Sequence, residues 1–232
     1  MIDMTTRKRL LATATAALLL STPALAGDVS PLKVKYSVHS GKEKIGWSKA
    51  TIEHTPKGKV ITITMSVDTE ILGIPVAFTT RSSTRYDASD LVTSFTSYSE
   101  TPRGDVDIEA TRKKGGFRVT RTLGEKTEKD WYPEESFDHV SVEPAFLEGE
   151  VGVQQKLRVL FTSSGKVRKT TMKILGRETR TILGEDRTVT HYRLKAVKNK
   201  LEEWRTDDGI IVKSLISFPL GKLTVKMLKP SP

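Results

Sequence analysis

Along most of the chain, apolar and polar residues alternate one by one. From Leu32 to Ser40, Leu32, Val34, Tyr36 and Val38 fall on one face and Lys33, Lys35, Ser37 and His39 on the other. This period of two is that of a β-strand with one dry and one wet face. Lys59–Thr69 repeats it, with Ile61, Ile63, Met65 and Val67 inward, and Leu223, Val225 and Met227 alternate with Lys222, Thr224 and Lys226. In the stretch from Ile45 to His54 the phase changes. Ile45 and Trp47 share one parity and Ala50 and Ile52 the other, so a bulge is expected near Ser48. Turn residues recur every 8 to 14 positions or so, among them Thr55-Pro56-Lys57-Gly58, Lys113-Lys114-Gly115-Gly116, Ser163-Ser164-Gly165 and Asp207-Asp208-Gly209.

Two stretches break the alternation. Glu70–Pro75 (EILGIP) is apolar and carries a Gly and a Pro, which suits a bend between strands or an exposed apolar lip. Pro133–Val153 has no period of two and several acids, and reads as a short helix or helical turn plus loop that crosses between halves of a sheet. The pattern predicts an all-β protein: a large curved antiparallel sheet of about twelve strands with one short helical connecting segment. A sheet of that size with one apolar face curls, as a barrel or as a half-barrel over the connecting segment, with a two-sheet sandwich as the alternative.

The first residues change the picture. Arg7, Lys8 and Arg9 precede an apolar run from Leu10 to Leu20, and Ala24 and Ala26 give an A-x-A cleavage pattern. This is the form of a signal peptide over residues 1–26, leaving a single domain over 27–232 and a periplasmic location. No later run is long and apolar enough for a membrane-spanning helix. An outer-membrane barrel is disfavoured, since aromatic residues make up only 6% of the chain and the second strand faces carry many Lys and Arg. The chain has no cysteine, so the exported domain of about 205 residues must be held by its core without disulfides. Of the formal charge of +10, the leader's three bases and one acid account for +2, leaving +8. Such an excess suits anionic neighbours in the cell envelope; it also keeps strand edges apart. Nucleic acid is not an expected partner in that compartment.

Candidate chemistry is sparse. No Ser lies in a G-x-S-x-G elbow. His39, His54, His139 and His191 lack ligand spacing, and without cysteine no metal or cofactor is expected. Glu134-Glu135 near Asp138, and Asp207-Asp208, are the carboxylate pairs a glycan hydrolase could use. Their places, after Pro133 and in a hairpin turn, explain them structurally as well. Basic clusters stand at two hairpin ends: Arg112, Lys113 and Lys114, and Lys166, Arg168 and Lys169. They are solvated turn tips or a seat for an anionic headgroup. The aromatic and sulfur-bearing set Tyr36, Trp47, Met65, Phe78, Phe95 and Trp204 is spread over separate strands. It fills a dry core or lines a cavity on the concave side able to take an acyl chain.

Two ends of the chain carry a resemblance. Tyr36-Ser37-Val38 to Gly41, followed by Ile45-Gly46-Trp47, and Trp204 to Val212 around Asp208-Gly209, are similar to the opening and closing motifs of uncharacterised exported β-barrel proteins, domains of unknown function. The resemblance implies a curved antiparallel fold in the envelope and brings no catalytic residues. A looser likeness is to the lipoprotein-carrier class, in which a curled sheet under a helical lid shelters acyl chains. Together these readings set the expectation of a non-catalytic envelope protein that binds a lipid or an anionic envelope glycolipid. The alternatives are a protein-interaction subunit with an envelope protein partner and a glycan-acting hydrolase.

Overall fold

A computed structural model of the chain describes residues 30–71, 74–100, 104–141, 149–195, 200–218 and 221–228. Fifteen strands form one sheet. The first eight are β1 (Leu32–Ser40), β2 (Glu43–Thr55), β3 (Gly58–Ile71), β4 (Ile74–Asp87), β5 (Val92–Glu100), β6 (Val106–Lys113), β7 (Gly116–Leu123) and β8 (Lys126–Pro133). A single 3-10 turn, Glu134–Ser136, leads to the two-residue β9 (His139–Val140). The rest are β10 (Gln154–Phe161), β11 (Lys166–Ile182), β12 (Glu185–Lys195), β13 (Lys200–Thr206), β14 (Ile211–Phe218) and β15 (Gly221–Met227). The sheet is all-β and curved, as the alternation predicts, with three more strands than expected. The excess includes the short β9; the β11–β12 hairpin is also longer than expected, since Arg177–Thr181 is exposed throughout and so shows no alternation.

The strand order runs from β8 back to β1, then β15 back to β9. Two meanders are therefore joined side by side through the first and last strands, with Tyr36 opposite Met227 and Val38 opposite Val225. Chain length forces the curl. Laid flat, fifteen strands span about 67 Å at ~4.8 Å each. The link from Pro133 on one edge to His139 on the other reaches about 20 Å at most. The two edges must therefore lie close together, although β8 and β9 do not pair and the sheet remains open.

The second edge tucks into the first half. Leu160 of β10, with Phe137 and Val140 from the link, joins Phe95, Ile108, Phe117 and Val119 of β5–β7 in one apolar cluster. Its neighbour Val159 points the other way, into a cluster with Met172, Ile174, Tyr192 and Leu194. At Val159–Leu160 both faces of β10 are thus dry, which is why Leu157–Phe161 (LRVLF) does not alternate cleanly. A third cluster under β1, β2 and β15 holds Val34, Tyr36, Val38, Ala50, Ile52, Leu223 and Val225.

The phase change in β2 is confirmed and relocated. The register shifts opposite Val38 and His39, so the extra residue is Ile45 and not one near Ser48. Ile45 is buried, Ser48, Ala50 and Ile52 are buried, and Trp47 between them faces out. Glu70 pairs with Pro75 at the end of the β3–β4 hairpin, so that stretch is a hairpin end; residues 72–73 lie outside the described set. The predicted helical segment is a 3-10 turn followed by β9, and its residues 142–148 also lie outside the described set. Among the described residues that turn is the sole helical element, so the long helices of the carrier likeness have no counterpart there. The expected leader, residues 1–26, falls outside the described residues too.

Candidate functional site

The concave face was the expected site, and side-chain parity decides what reaches it. On β13, Glu203 and Arg205 point inward and are 3% and 8% exposed. They share that face with Tyr192 and Leu194 of β12 and Ser214 of β14. A buried charge needs a partner. Here the Tyr192 hydroxyl donates to Glu203 Oε1 at 2.5 Å and Arg205 Nε donates to the same oxygen at 2.7 Å. Tyr36 lies near this pair, and burial raises its hydroxyl's pKa well above the ordinary value. Tyr36 and Arg205 border an interior cavity of only about 70 Å³, with Ile61, Ser82, Ser141 and Ile210 around it. That is room for a few waters and far below the volume of an acyl-chain pocket.

A larger hollow opens on the same face beside the β10–β11 hairpin. It measures about 410 Å³ and is lined by Phe161, Leu194, Leu201, Ile216, Arg168 and Lys200, with Ser163 and Ser164 at one end. Its apolar members come from four strands because Leu194, Leu201 and Ile216 are in register across β12, β13 and β14. Lys200 is 2.8 Å from Glu202, whereas Arg168 is exposed and carries no ion pair among the described residues. A second, more open groove of about 680 Å³ runs past Leu157, Thr170 and Thr171 and is lined by Lys156, Arg158, Lys169 and Lys195, with Asp138 the one acid among the described residues. Asp138 is committed: Arg158 Nη2 donates to Oδ1 at 2.7 Å and the Arg158 backbone N–H to Oδ2 at 2.6 Å. The Arg158 guanidinium beside it holds its pKa below the usual carboxylate range.

The sequence-based candidates separate into three groups. Tyr36 and Phe95 are core residues, 3% and 1% exposed, and Met65 and Phe78 are half-buried against the core under β1. Trp47 and Trp204 require correction. Trp47 is 48% exposed on the outer face, carried there by the Ile45 bulge. Trp204 pairs with outward Lys213 and His191 while its neighbours Glu203 and Arg205 turn inward. Of the basic clusters, Arg168 and Lys169 border the two grooves, and Lys166 is exposed at the start of β11. Arg112, Lys113 and Lys114 are elsewhere: Arg112 bonds the Val92 carbonyl and Glu134 and lies 5.2 Å over Phe117, and the lysines are solvated turn residues. Of the remaining candidate acids, Asp208 is held by Arg187 and Thr206 in its turn and Glu134 by Arg112, whereas Glu135 and Asp207 are exposed. Among the described residues no group of three or more His, Asp or Glu is placed to hold a metal ion.

Glu203, Arg205 and the Leu194–Leu201–Ile216 floor were not among the sequence candidates. The signal for them was parity on β12 and β15, whose apolar residues define the inner face; Trp204 alone pointed the other way.

A single sheet, antiparallel except where the two-residue β9 pairs parallel with β10, curled until its edges overlap, with a packed interior and shallow basic-rimmed hollows, defines a barrel-like β-protein. The chain belongs to DUF6134, a family described as a domain of unknown function, which matches residues 36–227. The fold is similar to that of a beta-barrel-like protein of domain of unknown function DUF1849 from Brucella abortus, with a TM-score of 0.61 at 12% identity, over 86% of this chain and 96% of that one. A DUF1089 family protein from Pseudomonas aeruginosa aligns over 76% of this chain and 90% of its own at 12% identity, with a TM-score of 0.41. No curated protein matches the sequence significantly.

Proposed function

We propose that the chain is a non-catalytic protein of the cell envelope, exported to the periplasm by cleavage after Ala26, that binds an amphipathic anionic ligand such as a lipid. The ligand's apolar part would lie on Phe161, Leu194, Leu201 and Ile216 and its anionic head against Arg168. The observation that carries the reading is the 410 Å³ hollow itself, an apolar floor with exposed Arg168 at its side. Its size falls within the usual range of small-molecule sites, and a few polar groups around apolar walls is their usual make-up. The interior is too full to serve, so the ligand site is the groove and not the aromatic core.

Native mass spectrometry of the protein, purified from its own periplasm without detergent, tests this. The expected result is a reproducible added mass that extracts as a lipid. Leu201→Asp should remove it with an unchanged near-ultraviolet spectrum, and Arg168→Glu should weaken retention about tenfold, or ~1.4 kcal/mol. A clean apo mass, or an adduct indifferent to both substitutions, would overturn the reading. A partner cross-linked at the open β8 edge, where Trp131 is 48% exposed, would in that case favour the interaction-subunit reading.

A further inference from the structure

The outer face of the sheet carries an arrangement that the groove does not use. Across β13, β14, β15, β1 and β2 one row reads Trp204, Lys213, Lys226, Ser37, Trp47, each directly opposite the next. Two residues further along, Lys35 stands opposite Lys49, and exposed Leu228 donates its backbone N–H to the Lys35 carbonyl. Both lysine pairs, Lys213 with Lys226 and Lys35 with Lys49, are like charges directly opposed in a sheet, an arrangement that destabilises it. None of the four has an acidic partner among the described residues. The acid on this face nearest in register, Glu202, is taken by Arg193 at 2.9 Å and Lys200 at 2.8 Å. Trp47 ends the row with half its surface in solvent, and Lys213 Nζ sits 4.7 Å over the Trp204 ring.

From this juxtaposition we infer that the convex face of β13–β14–β15–β1–β2 docks on the surface of an anionic lipid bilayer. The four lysines lack a counter-charge, and headgroup phosphates supply one across a patch about 19 Å wide. The exposed indole of Trp47 and the exposed Leu228 suit the boundary between headgroups and acyl chains, where amphipathic and apolar side chains sit beneath lysine ammonium groups. A hydrated polyanion would satisfy the lysines and leave Leu228 unused. The inference does not depend on the groove, which is on the opposite side of the sheet.

Co-sedimentation of the purified protein with vesicles tests it, using phosphatidylcholine alone and phosphatidylcholine with phosphatidylglycerol at low and high salt. Binding is expected to the anionic vesicles only, and to fall as salt shortens the Debye length. In the double variant Lys49→Gln, Lys226→Gln the partition coefficient should drop roughly thirtyfold, about fivefold per lysine. The same variant should melt at a higher temperature, because each substitution relieves a like-charge pair. That rise separates lost docking from lost folding. Trp47→Ala should weaken binding and leave its salt dependence intact. The inference is overturned by no binding at low salt, by equal binding to neutral vesicles, by an unchanged partition of the double variant, or by preference for a soluble acidic polysaccharide over the vesicles.

Discussion

His191 lies flat against Trp204, ring centroids 3.9 Å apart and 12° from parallel. Burial lowers its pKa; the Glu202 carboxylate 3.7 Å away opposes that shift and is the weaker influence. The folded value therefore lies below the ordinary ~6.5. Between the two values the unfolded chain binds more protons. The neutral imidazole's contribution to stability is therefore full above about pH 6.5 and is lost as pH falls through the folded value. An imidazolium stacked on an indole quenches it. The emission difference between wild type and His191→Phe should titrate with a midpoint below about 6.5. A midpoint at or above that figure would contradict the burial argument. The same residue scale explains why Glu203 and Arg205 are tolerated inside: each satisfies the other, with Tyr192 as a third member.

Among the elements, the β10–β11 hairpin decides whether the second edge seats in the first half. Its tip residue Gly165 has φ +58, and a Cβ there would lie 2.8 Å from Val119 Cγ1 and 2.9 Å from Ile108 Cγ2. Arg121 Nη1 donates to the Gly165 carbonyl at 3.1 Å, and the same guanidinium reaches Glu128 and Asp130 of β8 at 2.8 and 2.7 Å. Arg121 and Lys126 together hold the exposed Glu128 carboxyl down to about 2. Gly165→Ala is therefore strained twice, by backbone and by contact, and should cost about 1–3 kcal/mol. Gly184 at the β11–β12 turn is the control: its φ is +85 but nothing lies within 4 Å of the added Cβ. Gly184→Ala should cost less, about 1 kcal/mol. Equal losses in thermal unfolding would mean that the tip is not packed as described.

For the molecule as a whole, the pairing of β1 with β15 is the seam between the two meanders. Leu223 and Val225 of β15 cover the same cluster as Val34 and Val38 of β1. A chain ending before Gly221 loses that seam and leaves two half-sheets with open apolar faces. It should show no cooperative unfolding and a collapsed near-ultraviolet signal, and a truncated protein that still unfolds cooperatively would show the halves to be independent. The opposite edge is protected differently. The open strand β8 carries Lys126, Glu128, Lys129 and Asp130, charges that discourage pairing with another chain.

Alternation within a strand is a local property, and so the sequence by itself determined the strands, most of their turns, the all-β class and the tendency to curl. It also placed Tyr36 on a buried face, since β1 is a strand whose alternation predicts the face correctly. Which face a residue takes beyond a bulge is not local. One inserted residue at Ile45 reversed the outlook of Trp47, and only cross-strand register showed it. Trp204 lost the inward side to Glu203 and Arg205, two charges that pair with each other there and with Tyr192 on the neighbouring strand β12. The overlap of the edges, the groove beside β10 and the unpaired lysines of the outer face likewise come from strands far apart in the chain. They exist only once β1 meets β15 and the short link from β8 draws the two ends of the sheet together.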